Sequence, residues 1–164
     1  MSAPSPISSG EEQARRLEAV YEQLTRSLNT PSVALRLANT KSNTEWSVTE
    51  VLGHMVEMIP YWLAACRTIM DADTPPTFGR SLDAPERLAG VERGANTSLP
   101  EMLALLKQEV QQGAATIRAM SDADRVKQGI NPARGTLTVA GIVEMLIVSH
   151  AEGHLAQIQA ILAE

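Results

Sequence analysis

Val139-Ala-Gly-Ile-Val-Glu-Met-Leu-Ile-Val-Ser-His150-Ala-Glu-Gly-His154-Leu-Ala-Gln-Ile-Gln-Ala-Ile161 reads as one long apolar helix carrying two histidines four residues apart. That spacing puts both imidazoles on one face, about one turn apart. The only other histidine of the chain, His54, also falls within an apolar helical stretch. Imidazole nitrogen suits zinc, nickel, copper and iron. Two ligands from one helix and a third from another would form a three-histidine site with at least one position open to water or substrate. The competing reading is three core histidines satisfied by carbonyls or carboxylates. It must absorb a desolvation cost of roughly 1–3 kcal/mol for each imidazole left without a partner.

Outward from this stretch, helical periodicity recurs three more times. Ala14, Leu17, Val20 or Tyr21, Leu24 and Leu28 mark a first helix from Glu11 to about Leu28, preceded by a Ser- and Pro-rich segment, residues 1–10, expected to be a disordered tail. Ser32 to Trp46 is expected to hold a short helical turn and a polar loop. Ser47-Val-Thr-Glu50 is a capping box, so a second helix should start at Val48, pass His54 and end near Met70, with Pro60 removing one backbone donor and kinking it. Asp71 to Gly94, punctuated by Pro75, Pro76, Gly79, Pro85 and Gly90, reads as a long loop over a site, with a short helix at Ala84–Ala89. Ser98-Leu-Pro-Glu101 opens a third helix from about Leu99 to Met120, with Met102, Leu105 or Leu106, Val110, Ala114 and Ile117 facing inward. Ser121 to Gly135 reads as a polar connection with turns at Asn131-Pro132 and Arg134-Gly135, before the last helix from Val139 to Ala163. Four long amphipathic segments without a strand pattern predict an all-α four-helix bundle, with residues 11–164 as a single domain.

The composition agrees with that class. Hydrophobic residues make up 44% and charged residues 20%, while aromatics are only 3%, so aliphatic side chains must fill the core. A formal charge of −5 without clustered Lys or Arg argues against nucleic acid as a partner. Cys66 is the only cysteine, which rules out an intramolecular disulfide. The N-terminus does not read as a signal peptide, and no apolar run reaches the roughly 18–20 residues a membrane span needs. A cytoplasmic protein acting on a small molecule, with no membrane partner, is the expectation.

Other residues near the histidines invite functional readings. Glu57, three residues after His54, is a candidate fourth ligand, general base or acceptor behind a ligand, against the alternative of a solvated or salt-bridged surface carboxylate. Gln157 shares the face of His154 and could orient it, while Glu152 points elsewhere and reads as surface. Gly153 either admits a close backbone or is simply tolerated. Cys66 lies about 18 Å along the helix from His54 and is read as a buried structural thiol. Tyr61 and Trp62 could line a pocket or belong to the core. Arg80, Arg87 and Arg93 could hold an anionic substrate or be solvated.

Trp46-Ser-Val-Thr-Glu-Val-Leu-Gly-His54 and Ser149-His-Ala-Glu-Gly-His-Leu-Ala-Gln-Ile158 resemble the corresponding motifs of the DinB-like superfamily, the DinB/YfiT-like metalloenzymes. The resemblance extends from Glu11 onward. It implies a bundle with up-down-down-up connection, a divalent metal, commonly zinc or nickel, on His54, His150 and His154, and frequent homodimers. It also implies chemistry such as S-transfer from a low-molecular-weight thiol, or metal-dependent hydrolysis. Such an ion would activate thiol or water as a nucleophile at neutral pH. Thiol S-transfer is the leading expectation, hydrolysis the second, and a non-catalytic metal-binding or structural bundle the third.

Overall fold

The computed structural model describes residues 7–31 and 46–163. Helix α1 (Gly10–Leu28) starts at Ser9, whose hydroxyl accepts the Glu12 N–H at 3.1 Å, and buries Ala14, Leu17, Val20, Leu24 and Leu28, the stripe its periodicity predicts. Helix α2 (Val48–Asp71) carries the complete capping box: Glu50 N–H donates to the Ser47 hydroxyl at 3.2 Å and Ser47 N–H to the Glu50 carboxylate at 3.0 Å. Helix α3 (Pro85–Ala95) has proline in its first turn. Helix α4 (Leu99–Ala119) buries Met102, Leu106, Val110, Ala114 and Ile117, again as predicted. After a one-turn helix α5 (Asp122–Arg125), strands β1 (Gln128–Asn131) and β2 (Gly135–Thr138) form an antiparallel hairpin. Thr138 then caps α6 (Val139–Ile142), which continues through a π-helical segment, Val143–Val148, into α7 (Ser149–Leu162).

Side-chain pairings fix the directions of the four long helices. Arg118 near the end of α4 pairs with Glu11 at the start of α1, so these two are antiparallel. Gln13 donates to the Ala140 carbonyl at 3.2 Å and Arg16 pairs with Glu144 at 2.7 Å, so α1 runs parallel to the C-terminal helix. His54 meets His150 and His154 while Trp62, two turns on, shares a cavity with Met145, so α2 is antiparallel to that helix. The result is the up-down-down-up bundle. α1 and α2 each pack on α4 and on the C-terminal helix. The aliphatic core runs between them, and each fully buried Leu, Ile or Met contributes about 1.5–3 kcal/mol.

Two stretches read as connections are structured. In the expected loop Asp71–Gly94 the short helix predicted at Ala84–Ala89 is present but longer, running to Ala95 as the eleven-residue α3 and lying against α2 where three glycines meet. A Cβ on Gly53 would stand 2.3 Å from the Gly90 carbonyl oxygen, and one on Gly94 would stand 2.1 Å from that of Thr49. Backbone therefore touches backbone, and no larger residue fits. The expected polar connection Ser121–Gly135 contains α5, β1 and, at Gly135, the start of β2. The predicted turn at Asn131–Arg134 is present, with the Asn131 side chain accepting from the Ala133 and Arg134 amides at 3.0 and 3.1 Å. What periodicity missed is the pairing on either side, because four-residue strands are too short to show alternation. Phe78 N–H donates to the Ile130 carbonyl and Ile130 N–H to that of Pro76, so the hairpin pins residues 76–78.

Pro60 is accommodated inside α2, which spans Val48–Asp71 as one helix. At the N-terminal end of the predicted tail, residues 1–6 lie outside the described residues. At its other end Ser9 caps α1, and the Ser8 carbonyl accepts from Arg125 at 2.9 Å. The helical turn and loop expected between Ser32 and Asn43 also lie outside the described residues. No helix among the described residues is long and apolar enough to cross a membrane.

Candidate metal centre

His54 on α2 and His150 and His154 on α7 come together as the sequence predicts. Each can offer one ring nitrogen such that all three atoms lie within 4.8 Å of one another. The ring centroids are 4.6–5.3 Å apart. His54 is placed by its neighbour Gly53, since the glycine seam with α3 leaves α2 no freedom to slide or rotate there.

The nitrogens that do have partners decide which ones are free. His150 Nδ1 lies 3.2 Å from the Leu146 carbonyl, which can only accept, so Nδ1 carries the proton and Nε2 keeps its lone pair. Leu146 belongs to the π-helical segment, a winding often found beside functional sites. His154 Nδ1 donates to Gln157 Oε1 at 2.9 Å, which again leaves Nε2 as the available ligand atom. Thus Gln157 orients a histidine, the role its spacing suggested.

His154 Nε2 and both ring nitrogens of His54 are buried with no hydrogen-bond partner among the described residues. His54 is 1% exposed, so solvent does not meet this need. Burial foremost, together with the positive charge of neighbouring groups, pushes the His54 imidazole down to about 3 and that of His150 to about 4, while His154 is also lowered. The rings are therefore neutral near pH 7, the state in which imidazole ligates metal. A donor set of three neutral imidazoles with orphaned, inward-facing nitrogens fits a divalent ion. It does not fit the alternative of three satisfied core histidines.

Glu57 lies beside the histidines and is salt-bridged, as one of its two alternatives had it, rather than solvated. Its Oε2 lies 4.0 Å from His54 Nδ1, and both carboxylate oxygens are engaged by Arg80, with Oε2 at 2.7 Å from Nη2. Arg80 also stacks on Tyr61, its guanidinium carbon 3.9 Å from the ring centroid. A cavity of about 560 Å³ opens beside His54 and His150, bordered by Trp62, Arg80, Arg87 and Arg134. Of the arginines singled out in sequence, Arg80 and Arg87 reach the cavity, whereas Arg93 is exposed elsewhere on α3.

The remaining assignments divide. Glu152 is not a bare surface carboxylate: it accepts from Arg16 at 2.6 Å, tying α7 to α1. Gly153 has open space where a side chain would be and is simply tolerated in the helix. Cys66 is a buried free thiol whose titration burial pushes up to about 12, as expected of a structural residue. Sequence reasoning missed Trp46, which lies 5.4 Å from the His54 ring, and Arg134, which read only as part of a turn.

A helical bundle with an inward-facing histidine triad defines a class of metal-binding protein. Comparison with known proteins places it further. The sequence profile of the DinB superfamily matches residues 10–158, and the chain belongs to that superfamily. Among solved structures it is similar to YfiT from Bacillus subtilis, described as a probable metal-dependent hydrolase with an unusual four-helix bundle topology. The TM-score is 0.76 at 18% identity, covering 98% of this chain and 91% of YfiT, a likeness that establishes the shared fold. No curated protein sequence matches.

Proposed function

We propose that this protein is a metal-dependent hydrolase of a small molecule, with His54, His150 and His154 holding the ion and Glu57 managing the proton. The observation that carries the reading is the set of buried, partnerless imidazole nitrogens beside an ordered carboxylate. A divalent ion held by three histidines supplies Lewis acidity, which makes water nucleophilic at neutral pH and polarises a carbonyl or phosphoryl oxygen. Leu146 and Gln157 hold the Nδ1 protons of His150 and His154, keeping both rings in the ligating tautomer. Arg80 fixes the carboxylate of Glu57 near His54, where it can take a proton from the attacking water and return it to the leaving group. Trp46 and Trp62 exclude bulk water from the His54 side. The description of YfiT as a probable metal-dependent hydrolase supports the same chemistry.

Thiol S-transfer would use the same histidines with an external thiol in place of water, since Cys66 is buried and lies outside the cavity. One assay separates the readings. Zinc- and nickel-loaded protein is offered ester, amide and phosphoester substrates, and separately a low-molecular-weight thiol with an electrophile. The hydrolase reading expects ion-dependent hydrolysis that chelation abolishes and Glu57→Gln lowers about 10²-fold or more with ion content unchanged. Thioether formation without hydrolysis would assign S-transfer. An ion bound tightly with neither reaction would leave a structural metal site.

A further inference from the structure

Three arginines border the cavity beside the histidines, and they are not equivalent. Arg80 is neutralised by Glu57. Arg87 donates to the Leu82 carbonyl at 2.7 Å and lies 5.2 Å from the Trp46 ring centroid, but pairs with no carboxylate among the described residues. Arg134, across the cavity on the hairpin turn, donates to the Met145 sulfur at 3.3 Å and likewise has no carboxylate partner among the described residues. Among the described residues no Asp or Glu borders the cavity. Its remaining polar lining includes Ser81, Asn131 and Ser149. Trp62 adds an indole N–H that is buried without an acceptor, and indole can only donate.

The two free guanidiniums are held there by structure. Arg87 sits one turn before Gly90, where α3 is locked against α2, and Arg134 follows the turn that Asn131 closes. Both guanidiniums border the same cavity as His54 and His150, so their charge falls beside the histidines. A divalent ion would add to this positive field. Uncompensated cations facing a concave, partly apolar space attract an anion, and guanidinium matches a planar or tetrahedral oxyanion through paired N–H donors.

We propose that the cavity selects substrates carrying an oxyanion, a carboxylate or a phosphate, which Arg87 and Arg134 receive while the scissile group faces the histidines. The proposal rests on the hydrolase reading for the chemistry at the histidines, but not for binding of the anion. At about 560 Å³ the cavity suits a small metabolite-sized molecule rather than a polymer.

The test is calorimetric titration of metal-free and zinc-loaded full-length protein at low ionic strength with three probes: succinate, inorganic phosphate and neutral succinamide. Wild-type protein should bind succinate or phosphate and not succinamide, and the tighter of the two names the oxyanion. Arg87→Gln and Arg134→Gln should each weaken that binding about 10-fold or more, while Arg93→Gln, on the same helix as Arg87 but outside the cavity, should leave it unchanged. Arg134 is exposed, so its variant remains informative if Arg87→Gln melts early. Binding of neither anion, or binding untouched by both variants, overturns the proposal. Arginine-dependent anion binding without any hydrolysis would overturn the hydrolase reading alone, and hydrolysis of neutral esters without anion binding would overturn this proposal alone.

Discussion

On one side of α2, Gly53 meets Gly90 and Gly94 with no space for a methyl group; one residue further on, His54 presents two ring nitrogens without a hydrogen-bond partner among the described residues. The seam is complete in the protein itself, since backbone fills it. The histidine cluster is complete only with something added. Packing without freedom is what lets an unsatisfied group stay where it is, because a helix able to rotate would turn His54 toward solvent or toward a carbonyl. Rigidity on one face and deficit on the other are two halves of one arrangement.

The strongest way to break that contrast is to remove the deficit. His54→Ala or His150→Ala should take ion content from about one per chain to near zero by mass spectrometry, since each ligand of a zinc site is worth about 3 kcal/mol or more. Retained occupancy in either variant would dissolve the triad. The next effect attacks the seam. Gly53→Ala forces its Cβ against the Gly90 carbonyl, and the two helices must separate. The expected loss is about 3 kcal/mol in denaturant unfolding, with weakened ion binding as α2 shifts. Gly153→Ala, in open space on α7, should not destabilise the protein, which separates close approach from mere helix propensity.

The helices, their caps and the triad were legible because each is written locally. Ser47 and Ser98 stand at observed helix starts as their sequences predict, and the apolar stripes of α1 and α4 recur at helical spacing, whereas Ser9, the cap of α1, was read as part of the tail. His150 and His154 share a face by spacing alone, His54 stood out as the one other histidine and lies in an apolar helical stretch, and the resemblance joined the three. The seam was not legible, since Gly90 and Gly94 fell in a stretch that prolines and glycines marked as loop. Their separation by four residues was the available signal, and it means contact only when a partner helix is known. Arg134 and Arg87 are joined by tertiary folding, which no local pattern records. The two Nδ1 partners differ in the same way: Gln157 follows His154 by three residues and could be read, whereas Leu146 acts through its backbone carbonyl and has no side-chain signature.

The smallest effect sharpens the comparison from the side of the histidines. Gln157→Leu leaves a branched apolar side chain one atom shorter and removes the acceptor of the His154 Nδ1 proton. Without it, His154 loses the contact that selects its tautomer and holds its ring, while His54 and His150 keep their positions. Ion affinity should fall about 10- to 100-fold, measured by competition with a chelator, with little change in unfolding midpoint of the metal-free protein. Gln157→Glu offers an acceptor in the same place and should restore most of the affinity. If Gln157→Leu instead lowers metal-free stability and leaves affinity untouched, then Gln157 packs the end of α7, and the ordering of His154 comes from the bundle rather than from its hydrogen bond.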